Sequence, residues 1–180
     1  TKERLNTGVA VHFATGDDAV LKAIAASGTG EPATIEDVVK SKCTIAVGDP
    51  FEVGPVIARP ALKAKYAHRA NTLTVVSESP NRTARFASSH IEGNVRVTLA
   101  ELLKAVVDLS EDSGPSWKDV VRTSYPAVKD DEVKALAEKF VKAGQAVVIV
   151  ESQDPVTAEF ASLIVEAAGD GKKLFSLYTY

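Results

Sequence analysis

Methionine is absent from all 180 residues, and Cys43 is the only cysteine. A lone thiol excludes an internal disulfide and a cysteine-ligated cluster, and it fits a reducing compartment, so a cytoplasmic location is expected. No apolar run approaches the ~18–20 residues needed to cross a bilayer, and the opening TKERLNTG has no apolar signal core. Direct membrane insertion is therefore not expected, and a place at the inner face of a membrane would come through partner subunits. His12, His68 and His90 stand far apart without HxxxH or HExxH spacing, which argues against a metal site. The phosphate-binding patterns GxGxxG and GxxxxGK[ST] are missing, as is GxSxG. A net charge of −3 gives no reason to expect nucleic acid as a partner. The missing methionine and the apolar ending LFSLYTY lead to the expectation of a piece cut from a larger polypeptide.

What is present reads as a globular α/β chain. The composition is 45% hydrophobic and 25% charged, and the length suits one domain that can bury a real core. Short apolar runs with the look of buried strands alternate with segments of helical period. The strands are GVAVHF (8–13), CTIAV (43–47), TLTVV (72–76), QAVVIVES (145–152) and KKLFSLYTY (172–180). Helical spacing covers 17–27, 35–42, 55–70, 116–125, 130–144 and 154–169, with Pro60 expected to start or kink the third of these. Thr98-Leu-Ala-Glu101 reads as a capping box opening another helix. Residues 77–89 read as a loop or broken helix. Strands without polar-out alternation point to a parallel sheet covered on both faces, a Rossmann-like fold over residues 1–180 with 8–33 as a peripheral lead-in.

In such a sheet, ligands bind outside the carboxyl ends of the strands. The candidates there are Gly48-Asp49, Ser77-Glu78-Ser79 and Glu151-Ser152-Gln153-Asp154. Carboxylates at these ends can accept a ribose hydroxyl or a base N–H, but they repel pyrophosphate. Each Asp-Pro pair has a plainer reading, with Asp as N-cap and Pro at the first helical position, where its missing N–H costs nothing. Residues 53–97 carry seven basic side chains against Glu78 and Glu92, a local excess of +5 that leaves −8 elsewhere. That excess is either a solvated face or a surface for an anionic cofactor or a partner subunit. Cys43 reads as a core thiol and Trp117 as a packing anchor.

The run IEDVVKSKCTIAVGDPFEVGPVIARPALKAKYAHRANTLTVVSESPNRTARFASSH, with AEKFVKAGQAVVIVES later, resembles the Rossmann-like domain of the molybdopterin oxidoreductase superfamily. The resemblance covers about residues 34–153. It departs from the family at the cofactor cleft. The Gly-x-Asn-Pro turn is shortened to Gly48-Asp49-Pro50, and Asp-Pro-Arg becomes Ser77-Glu78-Ser79-Pro80, although Thr83-Ala84 is kept. Gly93-Asn94-Val95-Arg96 does not match the family's Pro-Gly-Thr-Asp segment. The resemblance implies a domain of the kind found in the large iron–sulfur subunit of NADH–quinone oxidoreductase. Such a domain supports electron transfer in a redox complex without its own pterin or catalytic residues, and docks other subunits through 53–97. The alternative it implies is the molybdopterin guanine dinucleotide-binding domain of a formate dehydrogenase-type molybdenum or tungsten enzyme, with Gly48, Asp49, Ser77 and Glu78 along the cofactor cleft. A third reading is the central domain of a thiamine-diphosphate enzyme, where AEKFVKAGQAVVIV also fits.

Overall fold

The computed structural model describes residues 32–110, 116–151 and 154–177. The strand and helix expected within 8–27 lie outside them. The chain runs α1 (Ile35–Lys40), β1 (Cys43–Val47), α2 (Pro50–Val53), α3 (Pro55–Ala67), β2 (Thr72–Ser77), a 3-10 turn (Ala84–Phe86) and β3 (Ser89–Glu92). It continues through α4 (Val95–Leu109), α5 (Ser116–Ser124), α6 (Asp131–Lys142), β4 (Ala146–Glu151), α7 (Pro155–Ala168) and β5 (Lys172–Leu177). The five strands form one parallel sheet in the order β3-β2-β1-β4-β5, so the α/β class expected from the alternating pattern is the one observed. Among the described residues, no helix is long and apolar enough to cross a membrane.

The sheet is buried on both faces because its central strands are apolar at nearly every position. β1 has all five residues buried, and its register sets Ile45 opposite Thr74 of β2 and Val148 of β4. The two-residue alternation of strand side chains divides the core into two layers. Ile45, Val47, Val76, Val148 and Val150 pack with α4, α5, α6 and α7. Ala46, Leu73, Val75, Val147 and Ile149 pack with α1, α2 and α3. Phe140 and Phe51 are fully buried anchors of the two layers, each worth about 1.5–3 kcal/mol of burial. Trp117 packs against the first layer, and Cys43 is buried in it.

Three local expectations change. α3 begins at Pro55 and carries Pro60 within it. Pro60 falls on the buried stripe with Ile57, Ala61 and Ala64, so packing on the sheet outweighs the one backbone bond it cannot donate. α4 begins at Val95, where the Asn94 side chain accepts from the Val97 amide at 3.2 Å, and Thr98 is buried in its first turn. Ser89–Glu92 forms the edge strand β3, which so short a stretch, with Ile91 as its one buried residue, hardly announces.

Candidate functional site

The strand order reverses direction at β1, whose neighbours β2 and β4 lead to opposite edges of the sheet. The crevice outside the carboxyl ends of β1 and β4 is therefore where a ligand would sit in such a sheet. It is a cleft of about 380 Å³ whose walls include Gly48, Glu78, Asn94, Arg96, Glu151 and Asp154.

Its floor is built by the turn after β1. Gly48 has φ +83°, a conformation that suits glycine, and its amide donates to the Val76 carbonyl at 3.0 Å. Space gives a second reason for glycine. A Cβ here would lie 2.5 Å from Oε2 of Glu151 and 2.9 Å from its carbonyl oxygen. The same Oε2 accepts from the Asp49 amide at 3.0 Å. The amide that would greet a bound anion is thus already paired with a carboxylate of the chain itself.

Asp49 stands at the N-cap of α2 with Pro50 at the first helical position, as expected, but its side chain makes no cap bond. Its carboxylate turns to the loop after β2, accepting from the amides of Arg82 and Thr83, both at 3.0 Å, and from the Thr83 hydroxyl at 2.5 Å. Thr83, fully buried, also accepts from the Phe51 amide at 3.0 Å. Partial burial opposes ionisation of Asp49, but these hydrogen bonds outweigh it and hold its carboxyl below the ordinary value.

The other wall comes from α4 and α7. Asp154 caps α7, accepting from the amides of Val156 and Thr157 and from the Thr157 hydroxyl at 2.6 Å. Arg96, in the first turn of α4, donates to both of its oxygens at 2.8 and 2.9 Å. Burial again works against the charge on Asp154, and the Thr157 and Arg96 hydrogen bonds overcome it, so this carboxyl too sits below its usual value. The expected cap role of Asp154 is thus present, joined by an ion pair that links two helix N-termini.

Of the four residues picked out from the sequence, Gly48 and Glu78 line the cleft. Ser77 does not line it and is buried, with its hydroxyl bonded to the Ser79 carbonyl and to His90 Nε2, both at 2.8 Å. Asp49 faces the β2 loop. Asn94 and Arg96 enter the cleft from a segment that has no motif to announce it. With Glu78, Glu151 and Asp154 around one guanidinium, the cleft is net acidic. It suits hydroxyl or N–H donors and disfavours phosphates. Among the described residues no group of three or more His, Cys, Asp and Glu is placed to hold a metal ion.

Three of the seven basic side chains of 53–97 are bonded within the chain. Arg82 pairs with Glu52 at 3.1 Å, Arg96 with Asp154, and the Lys65 amine donates to the Phe86 carbonyl. These three side chains serve separate local bonds.

No known family profile matches the chain, and neither does any curated protein sequence. Among solved structures, the chain is similar to one from the formyltransferase/hydrolase complex FhcABCD of Methylorubrum extorquens, determined in complex with methylofuran. The two are 18% identical with a TM-score of 0.56, over 90% of this chain and 43% of the other. The chain thus spans less than half the length of that neighbour, and the likeness is one of fold.

This corrects the expected membership of the molybdopterin oxidoreductase superfamily. Neither the NADH–quinone oxidoreductase and electron-transfer reading nor its formate dehydrogenase and thiamine-diphosphate alternatives is upheld, since the solved structure it is similar to is a formyltransferase/hydrolase chain. The physical reason lies in the motif. Strand, glycine, Asp-Pro and helix form a turn that any parallel α/β sheet can use at a strand end. Here its acid is committed to Arg82 and Thr83.

Proposed function

We propose that the chain is a structural α/β domain of a subunit within a multi-subunit assembly of the formyltransferase/hydrolase kind, holding neighbouring parts in place rather than carrying out chemistry. One observation carries this reading. The crevice where such a sheet binds its ligand is spanned by the chain's own bonds, from Glu151 to the Asp49 amide and from Arg96 to Asp154. The three acidic groups around it disfavour phosphate-bearing cofactors, so no cofactor is assigned to this domain. The fold likeness to a chain of a multi-subunit complex supports the choice of assembly.

The test is to tag the full-length polypeptide in its native cells and measure the mass of what purifies by native mass spectrometry. Partner subunits in fixed stoichiometry are expected, together with formyl transfer or hydrolysis by the whole assembly. A polypeptide that purifies alone and active would overturn the reading.

A further inference from the structure

At the opposite end of the sheet lies a larger groove, of about 830 Å³, toward the upper end of the roughly 300–1,000 Å³ typical of binding pockets. Its floor is the amino ends of β1, β2 and β4, around Cys43, Thr72 and Gln145. Its walls are the C-terminal turns of α1, α3 and α6. Lys40, Lys42, Lys139 and Lys142 line it, and no acidic residue does.

Two of these lysines have carboxylates within reach. Lys40 pairs with Glu36 at 2.6 Å and Lys142 with Glu138 at 3.1 Å, each one turn back on its own helix and exposed. Lys42 and Lys139 are also exposed, and among the described residues neither has an ion-pair partner. The Lys139 charge acts on the floor as well, because it opposes the rise that burial imposes on the Cys43 thiol.

The backbone decides which anion fits. Helix C-termini present carbonyls rather than amides, and they carry partial negative charge. The N–H of Ser41 and of Ala143 already closes the last turns of α1 and α6. A compact phosphate would meet carbonyl oxygen there, without the amides that hold one elsewhere. Lysine heads on flexible stems at the rim can instead meet carboxylates spaced along a chain, while the floor between them takes apolar side chains.

From this geometry we infer that the groove docks an acidic, partly apolar segment of a partner subunit, with Lys42 and Lys139 as its principal charge contacts. The inference rests on the assembly reading above and names the surface it uses. It requires the contact to weaken as salt is raised.

The test uses the assembly purified with the full-length polypeptide and a water-soluble carbodiimide, which joins a lysine amine to a carboxylate with loss of one water. Peptide mapping is expected to find Lys42 and Lys139 joined to Asp or Glu of one segment in a partner subunit. The double variant K42E/K139E, its fold checked by circular dichroism, is expected to retain that subunit at least about tenfold less well. Partner subunits present but unlinked to these lysines would overturn the inference and leave the assembly reading standing. Links only to residues 1–31 of this chain, or to a second copy of it, would do the same. Purification without any partner would overturn both.

Discussion

At the carboxyl ends of the strands, Glu151, Asp49, Arg96 and Asp154 hold one another and the surrounding loop amides across the crevice. At the amino ends, Lys42 and Lys139 stand on the rim of a larger groove, with no ion-pair partner among the described residues. The same sheet thus has one end where Glu151, Asp49, Arg96 and Asp154 are bonded within the fold and one where Lys42 and Lys139 remain available. A charged group already bonded within the chain supports stability, whereas one without an internal partner costs little to remove and can serve recognition. In this protein the customary ligand end belongs to the first kind and the far end to the second.

Substitutions can break that contrast. The largest effect is expected for Gly48→Val, which puts a β-branched residue at φ +83° and drives its Cβ into the Glu151 carboxylate and carbonyl. A loss of about 4 kcal/mol or more is expected in urea unfolding. A near-normal midpoint would mean that the β1 turn and β4 are not locked as described.

Asp49→Ala comes next. It strips the bonds to Arg82 and Thr83 that tie the β1 turn to the β2 loop, and a loss of about 2 kcal/mol is expected. The effect has a pH signature. The folded carboxyl sits below the ordinary value of 3.8, so its contribution is present above that value and disappears as pH falls through the lower folded value. Unfolding midpoints of wild type and variant measured from pH 7 downward should therefore converge only in strong acid.

Asp154→Ala removes the cap of α7 and the partner of Arg96, for an expected cost of about 1–2 kcal/mol. The same urea experiment measures it, and a cost below that of a routine surface substitution would show that the cap and ion pair do not hold the crevice wall. The smallest change is expected at the other end. The pair K42Q/K139Q should leave stability within about 0.5 kcal/mol while weakening partner retention. A cost above about 1 kcal/mol would erase the contrast between the two ends.

Much of the architecture is legible because burial on both faces leaves a coarse signature. CTIAV, TLTV and AVVIV read as buried strands of a covered sheet, and each lies where the pattern predicts. β3 escapes the pattern because an edge strand of four residues buries only Ile91. The start of α4 is easily misplaced because Asn94 and Thr98 are both acceptable caps, and it is the Asn94 side chain that takes the Val97 amide. Within the crevice, Gly48 and Glu78 can be named from strand ends alone. The Arg96–Asp154 pair, separated by 58 residues, cannot. The groove lysines are equally hidden, because Lys42 and Lys139 lie in different segments of an acidic chain and outside the basic stretch of 53–97.

The alternation of the central strands with helices, the two-sided burial of the sheet, and the glycine and acid at the end of β1 follow from the sequence by itself. They depend on periodicity and backbone preference, which are local. The partners of those groups were decided only by the tertiary structure: Asp49 turned to the β2 loop, Glu151 laid against Gly48, and lysines gathered at the amino ends. Such pairings form between residues far apart in the chain, and they exist only once the sheet has brought its strands into register.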